Sequence, residues 1–204
     1  MTSVVFDGKF LAADTRHVHE LDYNETGMCP HCRKAVTRLF YSATKILTPK
    51  TKVYFNNSRI IAVSGSGLWS TISAIFRVLE TGLCSDTVYL HKLLKAVNIH
   101  KEIDDYSTTL ILTEDAVYLV EKLKCKQIHK LPITLGSGSF TTKKFLVEKK
   151  ITPMQAIYEN SKLDDCTSSK VEYITMSKNK DFRKRVFKPI KAKLTKLNLR
   201  KQSA

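Results

Sequence analysis

The sequence predicts a domain of the α+β class, built from antiparallel strands and separate helices. Short β-prone runs come in pairs around turn residues, and apolar residues recur at helical spacing in other stretches. Along the chain these signals give strands, two helices, strands, two helices and a final strand. With 204 residues the chain can bury a full core, so we expect one domain whose helices pack on sheet faces.

The strands are predicted mainly as hairpins. Val4 to Phe6 and Phe10 to Thr15 are β-prone runs that flank Asp7-Gly8, and this pair accepts the positive φ of a tight turn. The same signals predict two later hairpins and a single strand: residues 52–64 around Asn56-Asn57-Ser58, residues 108–121 around Glu114-Asp115, and Val171 to Met176.

Four stretches are predicted to be helical. The first ends before Gly82, which suits a helix stop. The fourth begins at Thr152-Pro153 and runs through Leu163, because a proline at the first helical position loses no hydrogen bond. The third is predicted over Phe140 to Lys149. The apolar residues that define the first two helices are Leu68, Ile72, Ile75, Phe76 and Leu79, and then Leu90, Leu93, Leu94 and Val97.

The composition excludes several classes of protein. Apolar residues make up 43% of the chain, no window approaches the roughly 18 uncharged apolar residues of a membrane span, and the first residues lack a signal-peptide pattern. We therefore expect a cytoplasmic protein without a membrane partner or an organic cofactor. The odd cysteine set predicts free thiols, with one metal site, rather than disulfides: Cys29, Cys32, Cys84, Cys125 and Cys166.

Residues 177–204 are predicted to form a basic tail after a domain of residues 1–176. They hold eleven Lys or Arg and one acid, so they carry +10 of the net charge of +15. Apolar residues interleave with these cations. Such a segment binds nucleic acid through counterion release, docks on an acidic partner or stays solvated. The candidate nucleic-acid contacts are Arg183, Lys184, Arg185, Lys188, Lys191 and Lys193.

Residues 17–44 break the pattern and are predicted to form an irregular insert. They hold His17 and His19, followed by Cys29-Pro30-His31-Cys32. The Cys-Pro-x-Cys turn resembles a zinc knuckle, in which thiolates bind a tetrahedral ion. With the two histidines, Cys29 and Cys32 would complete the four ligands of a structural zinc ion. The alternatives are reduced thiols or a redox pair, with both histidines on one face of a strand.

Six short motifs stand in the order of one known family. Phe10 to Arg16 is similar to its second strand, in which an Asp and an Arg lie beside the active site. The other five, in chain order, are Lys45-Ile46 at the end of the next strand, Ala62 to Gly67 at the turn into the first helix, Leu135 to Ser139 at a serine-bearing loop, Thr152 to Ile157 at a helix start, and Leu163 to Ser169 at an Asp followed three residues later by a hydroxyl. The sequence thus resembles the proteasome-type N-terminal-nucleophile hydrolases, the proteasome β subunits and bacterial HslV.

The resemblance covers about residues 2–176 and implies a four-layer αββα sandwich, here with a zinc-knuckle-like insert and a basic tail. It also implies a homo-oligomer, as a ring or part of one, that depends on an unfoldase ATPase for its substrates. Divergent, lysine-rich relatives occur in bacteriophages, so the resemblance extends to a phage protein.

The resemblance also implies a reaction. In this family a threonine at the N-terminus attacks a peptide carbonyl, and its own α-amine takes the proton. The implied nucleophile is Thr2, freed by removal of Met1. Lys45 would lower the pKa of that amine, Asp14 would compensate the lysine charge, and the Gly65 N–H would stabilise the oxyanion. The other implied site residues are Arg16, Ser137, Asp164 and Thr167.

The spacing of the first hairpin argues against Thr2. It lies six residues before Gly8, whereas the family nucleophile lies about nine or ten residues before the hairpin glycine. Three residues of roughly 3.3 Å each would shift the amine by about 10 Å along a strand. Two function classes stay open: a threonine peptidase, and a degenerate relative that binds nucleic acid or host protein through its tail and keeps Asp14 and Lys45 as a structural ion pair.

Overall fold

The structure is a computed structural model that describes residues 3–20, 27–28, 35–36, 38–82, 84–96, 107–122, 124–164, 167–176 and 182–189. For residues 17–20, 27–28, 35–36, 38–41 and 96 it describes the main chain alone. Within these ranges, no helix combines the length and the apolar character that crossing a bilayer requires.

The described residues form fourteen strands and four helices. The strands are β1 Val4–Phe6, β2 Phe10–Asp14, β3 Arg16–Glu20, β4 Gly27–Met28, β5 Ala35–Val36, β6 Arg38–Ser42, β7 Tyr54–Phe55, β8 Ser58–Ser66, β9 Thr108–Thr113, β10 Val117–Glu121, β11 Lys124–Ile128, β12 Ile133–Leu135, β13 Val171–Thr175 and β14 Arg185–Val186. The helices are α1 Trp69–Glu80, α2 Thr87–Ala96, α3 Ser139–Lys149 and α4 Pro153–Asn160.

Ten of these strands form two antiparallel sheets of five. The first sheet has the order β12-β1-β2-β13-β14, and the second has the order β11-β10-β9-β8-β7. In the first sheet Val4 lies opposite Ala13, and Val171 lies opposite Asp14 on the other side of β2. The last residue of the central strand β2 therefore lies beside the beginning of both β1 and β13.

The turn chemistry that predicted the hairpins is confirmed. Asp7 Oδ1 accepts hydrogen bonds from the main-chain N–H of Lys9 at 2.8 Å and of Phe10 at 2.7 Å, and Gly8 has a φ of +95°. At the second hairpin Asn56 and Asn57 both have positive φ, at 47° and 61°. Positive φ at both central residues is the geometry that a two-residue hairpin turn requires.

The predicted helices are also confirmed, with one change of length. At α4 the Thr152 hydroxyl accepts the N–H of Gln155 at 3.3 Å, and Pro153 stands in the first turn. This helix ends at Asn160, before the predicted Leu163, because residues 161–163 turn tightly and the N–H of Leu163 bonds the carbonyl of Asn160.

The sequence missed several strands. β11 is largely exposed and polar at the edge of the second sheet, while β12 and β14 are too short to show an alternating pattern. The irregular insert at residues 17–44 is also wrong, since β3 pairs with β6 and β4 pairs with β5. These strands pair through main-chain hydrogen bonds. Such pairing needs few apolar residues, so the polar sequence gave no sign of it.

Three buried clusters hold the elements together. One lies between the two sheets, one lies between the second sheet and helices α1 and α2, and one joins the first sheet to α4. The third cluster is the smallest and consists of Val5, Ala12, Met154, Ile157 and Val171.

The predicted four-layer sandwich with a zinc-knuckle-like insert is wrong; the structure is a mixed α+β arrangement of two antiparallel sheets with four helices. Helix α1 contacts β8 and β9, but the main sheet contacts of α2 and α3 are with the edge strands β11 and β12. Helix α3 buries Thr142, leaves Phe140 81% exposed and packs only the partly buried Leu146 against the cluster around α4, so it covers the first sheet poorly.

Candidate active site

A buried ion pair between Asp14 and Lys45 is the centre of the candidate site. Lys45 Nζ lies 3.1 Å from Asp14 Oδ1 and 3.2 Å from Oδ2. Asp14 is 0% exposed and Lys45 is 1% exposed. Asp14 ends β2, whereas Lys45 lies in the connection between β6 and β7. Removing one partner of such a buried pair costs about 3–5 kcal/mol, because the remaining charge is left without water.

Asp14 also accepts three main-chain hydrogen bonds. The N–H of Ser3 donates to Oδ1 at 2.7 Å, and those of Arg16 and Ser168 donate to Oδ2 at 2.9 Å and 3.2 Å. Of these donors, Ser3 precedes β1, Arg16 is the first residue of β3, and Ser168 precedes β13. One carboxylate therefore ties three chain segments to Lys45.

A second polar cluster lies next to the ion pair and shares Ser3 with it. Ser3 Oγ is 2.9 Å from Thr167 Oγ1, and Asn160 Nδ2 donates to both oxygens at 3.3 Å. Thr167 Oγ1 donates to Asp164 Oδ2 at 2.7 Å, and Ser137 Oγ approaches the same oxygen at 3.4 Å. Because the N–H and the hydroxyl of Ser3 serve different clusters, this residue joins them.

The hydrogen bonds of the second cluster have one consistent direction. The single hydroxyl proton of Thr167 is used on Asp164, so at the Ser3 contact Thr167 is the acceptor. Ser3 therefore donates to Thr167, which donates to Asp164. This chain ends on a carboxylate, and such a chain polarises each hydroxyl toward it.

Gly138 allows the loop before α3 to approach this cluster. A Cβ at this position would lie 2.2 Å from Asn160 Nδ2 and 2.4 Å from Ser3 Oγ. No side chain fits into that space, so the absence of a side chain at position 138 is part of the site.

The main chain around Lys45 is held by Glu172, a residue of β13 that is 5% exposed. Its carboxylate accepts the N–H of Lys45, the N–H of Ile46 at 2.6 Å and the hydroxyl of Thr44 at 2.9 Å. On the other side, Ser64 Oγ donates to the carbonyl of Lys45 at 2.8 Å. Strands β13 and β8 thus fix the position of the lysine.

Burial lowers the pKa of Lys45 below its ordinary value of 10.5. The carboxylates of Asp14 and Glu172 oppose this shift, and Arg16 adds to it. The lysine therefore gives up its proton more readily than an exposed lysine does.

Three further residues were predicted to belong to the site: Arg16, Gly65 and Thr2. Arg16 contributes its main-chain N–H to Asp14. Gly65 was predicted in a turn, but it lies inside β8 opposite Thr109, because the strand continues to Ser66. It follows Ser64, which contacts the Lys45 carbonyl. Thr2 lies outside the described residues.

The predicted zinc ligands fall mostly outside the described part of the chain. Cys29 and Cys32 are not described, and His17 and His19 are described as main-chain positions in β3. Among the side chains that are described, no group of three His, Cys, Asp or Glu is arranged to hold a metal ion.

Four of the six predicted nucleic-acid contacts are described. All four of them, Arg183, Lys184, Arg185 and Lys188, are exposed. Lys184 lies against the domain, with Nζ 2.5 Å from Thr44 Oγ1 and 3.5 Å from Glu172 Oε2. The other two, Lys191 and Lys193, are outside the described residues.

Sequence reasoning missed three site residues. Asn160 follows Ile157 by three positions and Ala156 by four, so helical spacing placed it on the buried face of α4. Glu172 stands between two apolar residues of a predicted strand, which signals a buried carboxylate. Ser3 carried no local signal, because its contacts come from residues far away in the sequence.

This arrangement of sheets and helices is similar to the fold of several solved structures. Three similar solved structures are a helical assembly of the Anbu complex from Pseudomonas aeruginosa, Anbu (ancestral beta-subunit) from Yersinia bercovieri and Thiobacillus denitrificans BPH in complex with epoxomicin. Their TM-scores are 0.60, 0.58 and 0.53, and their sequence identities are 11%, 8% and 11%. The alignments cover 95%, 91% and 86% of this chain and 88%, 87% and 97% of those chains. At these identities the likeness shows the fold alone.

No family model matches the chain, and no curated protein matches its sequence. The resemblance to proteasome β subunits and HslV is corrected by the structural comparisons, which point to Anbu proteins. They give no support to a phage origin.

Proposed function

We propose that this protein is a proteasome-related threonine-type peptidase with an N-terminal nucleophile. The observation that carries the proposal is the buried Asp14–Lys45 pair, which Ser3 joins to the Asp164–Thr167 cluster at the start of β1. Burying an ammonium group is unfavourable. Beside the first residues of a chain it has a chemical use, because a neighbouring cation favours the neutral form of an α-amine.

The pairing of β1 supports Thr2 as the nucleophile. The spacing of the hairpin predicted a shift of about 10 Å away from the lysine. The Ser3 carbonyl, however, accepts the N–H of Asp14 at 3.1 Å, and the Ser3 N–H donates to the Asp14 carboxylate. The residues that this hairpin lacks, compared with the spacing in the family, are therefore missing near its turn and not near the site. Thr2 precedes Ser3 in the chain, and Ser3 is a residue of the site.

The proposed reaction follows from these groups. The hydroxyl of a freed Thr2 attacks the carbonyl carbon of a peptide, and its α-amine, with an ordinary pKa of about 8, accepts the hydroxyl proton. A main-chain N–H, for which Gly65 is the predicted donor, stabilises the oxyanion, and loss of such a donor costs about 2.7–4 kcal/mol. The amine then protonates the leaving nitrogen, and water hydrolyses the resulting ester.

An epoxyketone probe tests this proposal. The full chain is produced with Met1 as its first residue, and intact mass shows whether Met1 is removed. The protein is then incubated with epoxomicin, the compound bound to the similar BPH structure. We expect a stoichiometric adduct that peptide mapping places on Thr2.

Two variants and one control show whether the adduct depends on the proposed site residues. Thr2→Ala and Lys45→Met are expected to lose the adduct, whereas Glu121→Gln, which alters an exposed ion pair, is expected to keep it. Retention of Met1, or a free Thr2 that does not react, would contradict the peptidase proposal.

We also propose that the protein assembles with copies of itself. An Anbu protein of the same fold forms a helical assembly. Light scattering during gel filtration is expected to give a mass several times the 23.2 kDa of one chain. A monomer at micromolar concentration would remove this part of the proposal.

A second candidate function is nucleic-acid binding through the tail. It is favoured by the exposure of Arg183, Arg185 and Lys188, of which Arg185 lies in β14, at the edge of the first sheet. Retention on immobilised RNA or DNA should fall steeply with salt. Retention that salt does not change, or that survives replacement of these three residues by serine, would exclude this function.

A further inference from the structure

We infer that Glu172 and Lys184 form a clasp that positions Lys45, so that the tail segment 182–187 is part of the candidate active site. The inference rests on the proposed function of this site and extends it, because it assigns a role to a segment outside the predicted catalytic domain. The clasp acts through Lys45 and touches no substrate, so both members are positioning residues.

Glu172 holds the main chain at two consecutive positions. Its carboxylate accepts the N–H of Lys45 and the N–H of Ile46, the two peptide groups that flank the Lys45 Cα. The direction in which a side chain leaves the main chain depends on these two peptide groups. Glu172 therefore sets the direction in which the lysine side chain begins, and Asp14 fixes where it ends.

Lys184 closes over the same segment from the tail. Its Nζ lies 2.5 Å from Thr44 Oγ1, 3.2 Å from the Ile46 carbonyl and 3.5 Å from Glu172 Oε2. It thus balances the charge of the nearly buried Glu172 and bonds the residues on either side of Lys45. With a carboxylate, a hydroxyl and a carbonyl within reach, the Lys184 ammonium group is held at this position, although its side chain is still 34% exposed.

The tail is anchored so that Lys184 reaches this position. Val186 pairs with Glu172 in the sheet, and the Phe187 N–H donates to the Val171 carbonyl at 2.8 Å. The ring of Phe187 also makes an edge contact with Tyr158, with centroids 6.5 Å apart. These contacts lie within three residues of Lys184 on its C-terminal side.

The charged groups that act on Lys45 are Asp14 from β2, Glu172 from β13 and Arg16 from β3, with Lys184 acting on Glu172. The two carboxylates raise the pKa of Lys45 against the effect of burial. Loss of the Glu172 charge must therefore lower the pKa of Lys45 further, which a purely structural role for Glu172 would not predict.

Lysine NMR tests the clasp without any enzyme assay. The full chain is labelled with ¹³C at lysine Cε, and the Lys45 signal is assigned by its loss in Lys45→Met. In Glu172→Gln we expect the titration midpoint of Lys45 to fall by about half a pH unit or more, and in Glu172→Asp we expect most of that change to be reversed.

Amide hydrogen exchange tests Lys184 separately. In Lys184→Met, exchange in a peptide covering residues 44–47 is expected to become about tenfold faster, because the contacts of Lys184 with Thr44, Ile46 and Glu172 are lost. Lys184→Arg should restore protection, and Lys124→Met, an exposed lysine on β11, should match the wild type.

Two results would overturn the clasp: an unchanged Lys45 midpoint in Glu172→Gln, or unchanged exchange in Lys184→Met. If Glu172→Gln does not fold, the amide exchange of residues 44–47 in Lys184→Met decides whether the clasp exists. Failure of the proposed function is distinguishable, because a protein that never reacts with epoxomicin can still show both effects. If it does react, Lys184→Met should slow adduct formation and Lys184→Arg should restore it.

Discussion

At the scale of residues, Asp14 has two roles in the site. It neutralises Lys45 and accepts three main-chain N–H groups, whereas Lys45 contacts it through one ammonium group. The two residues are therefore unequal partners. Replacing the lysine leaves the three main-chain bonds intact, but replacing the aspartate disturbs all of them.

We expect Asp14→Asn to destabilise the protein more than Lys45→Met. Lys45→Met should lower the free energy of unfolding by about 3 kcal/mol, and Asp14→Asn by more, because its NH₂ group would face main-chain donors. Urea unfolding measures both. Glu121→Gln, at an exposed ion pair, should cost less than about 1 kcal/mol. Equal costs for all three variants would contradict a buried pair.

The lowered pKa of Lys45 gives a prediction about pH. At low pH the lysine is protonated in both the folded and the unfolded state. As the pH rises toward 10.5, the folded state loses this proton first, so the unfolded state binds more protons and stability increases. The unfolding free energy of wild type minus that of Lys45→Met should therefore rise as the pH increases from the lowered pKa of Lys45 toward 10.5. A constant or falling difference would contradict the shift.

At the scale of elements, the site depends on where strands and helices end. Asp14 ends β2, Ser3 precedes β1, Asn160 ends α4 and Gly138 precedes α3. Chain ends of regular elements bring main-chain donors and short polar side chains together, because their N–H and C=O groups are not all used inside the element. The site is built from such positions.

Gly138→Ala is expected to disrupt this junction. The added Cβ would lie within 2.4 Å of two atoms of the polar cluster, and overpacking of this kind costs about 1–3 kcal/mol. Gly82→Ala is the matched control, since no atom of the described residues, apart from its chain neighbours, lies within 4 Å of its Cβ and the expected cost comes from its φ of +71°. Urea unfolding compares the two, and a smaller loss for Gly138→Ala than for Gly82→Ala would contradict the close approach.

At the scale of the whole molecule, the tail and the domain are joined. Strand β14 pairs with β13, Phe182 packs against the cluster between the sheets, and Phe187 packs against the cluster around α4. The part of the tail at residues 182–189 therefore contributes to the fold, whatever it binds.

Two truncations test this contribution. A chain that ends at residue 181 should lose about 2–4 kcal/mol of stability, because two partly buried aromatic residues and Lys184 are removed. A chain that ends at residue 189 keeps every described contact and should unfold like the full chain. Thermal and urea unfolding measure both, and equal stability of the two truncated chains would contradict the anchoring of the tail.

Much of the secondary structure was predictable because its causes are local. Asp7-Gly8, the two asparagines of the second hairpin and Thr152-Pro153 act on their own turns and caps, and the structure places each as predicted. β11 was not predictable, because an exposed edge strand carries no alternating pattern. The layer arrangement was not predictable from local signals either, since it depends on which faces of sheets and helices pack against each other.

The sequence by itself determined the types of elements and the α+β class, and it marked Asp14 and Lys45 as a pair. The tertiary structure decided the composition of the site. Ser3 meets Thr167 across 164 positions of the chain, and Lys184 meets Thr44 across 140. Contacts at such separations arise from sheet pairing and burial, so no local pattern records them. The length of the first hairpin predicted that the start of β1 lies away from the site. In the structure, Ser3 at the start of β1 contacts both Asp14 and Thr167, so this segment is part of the site.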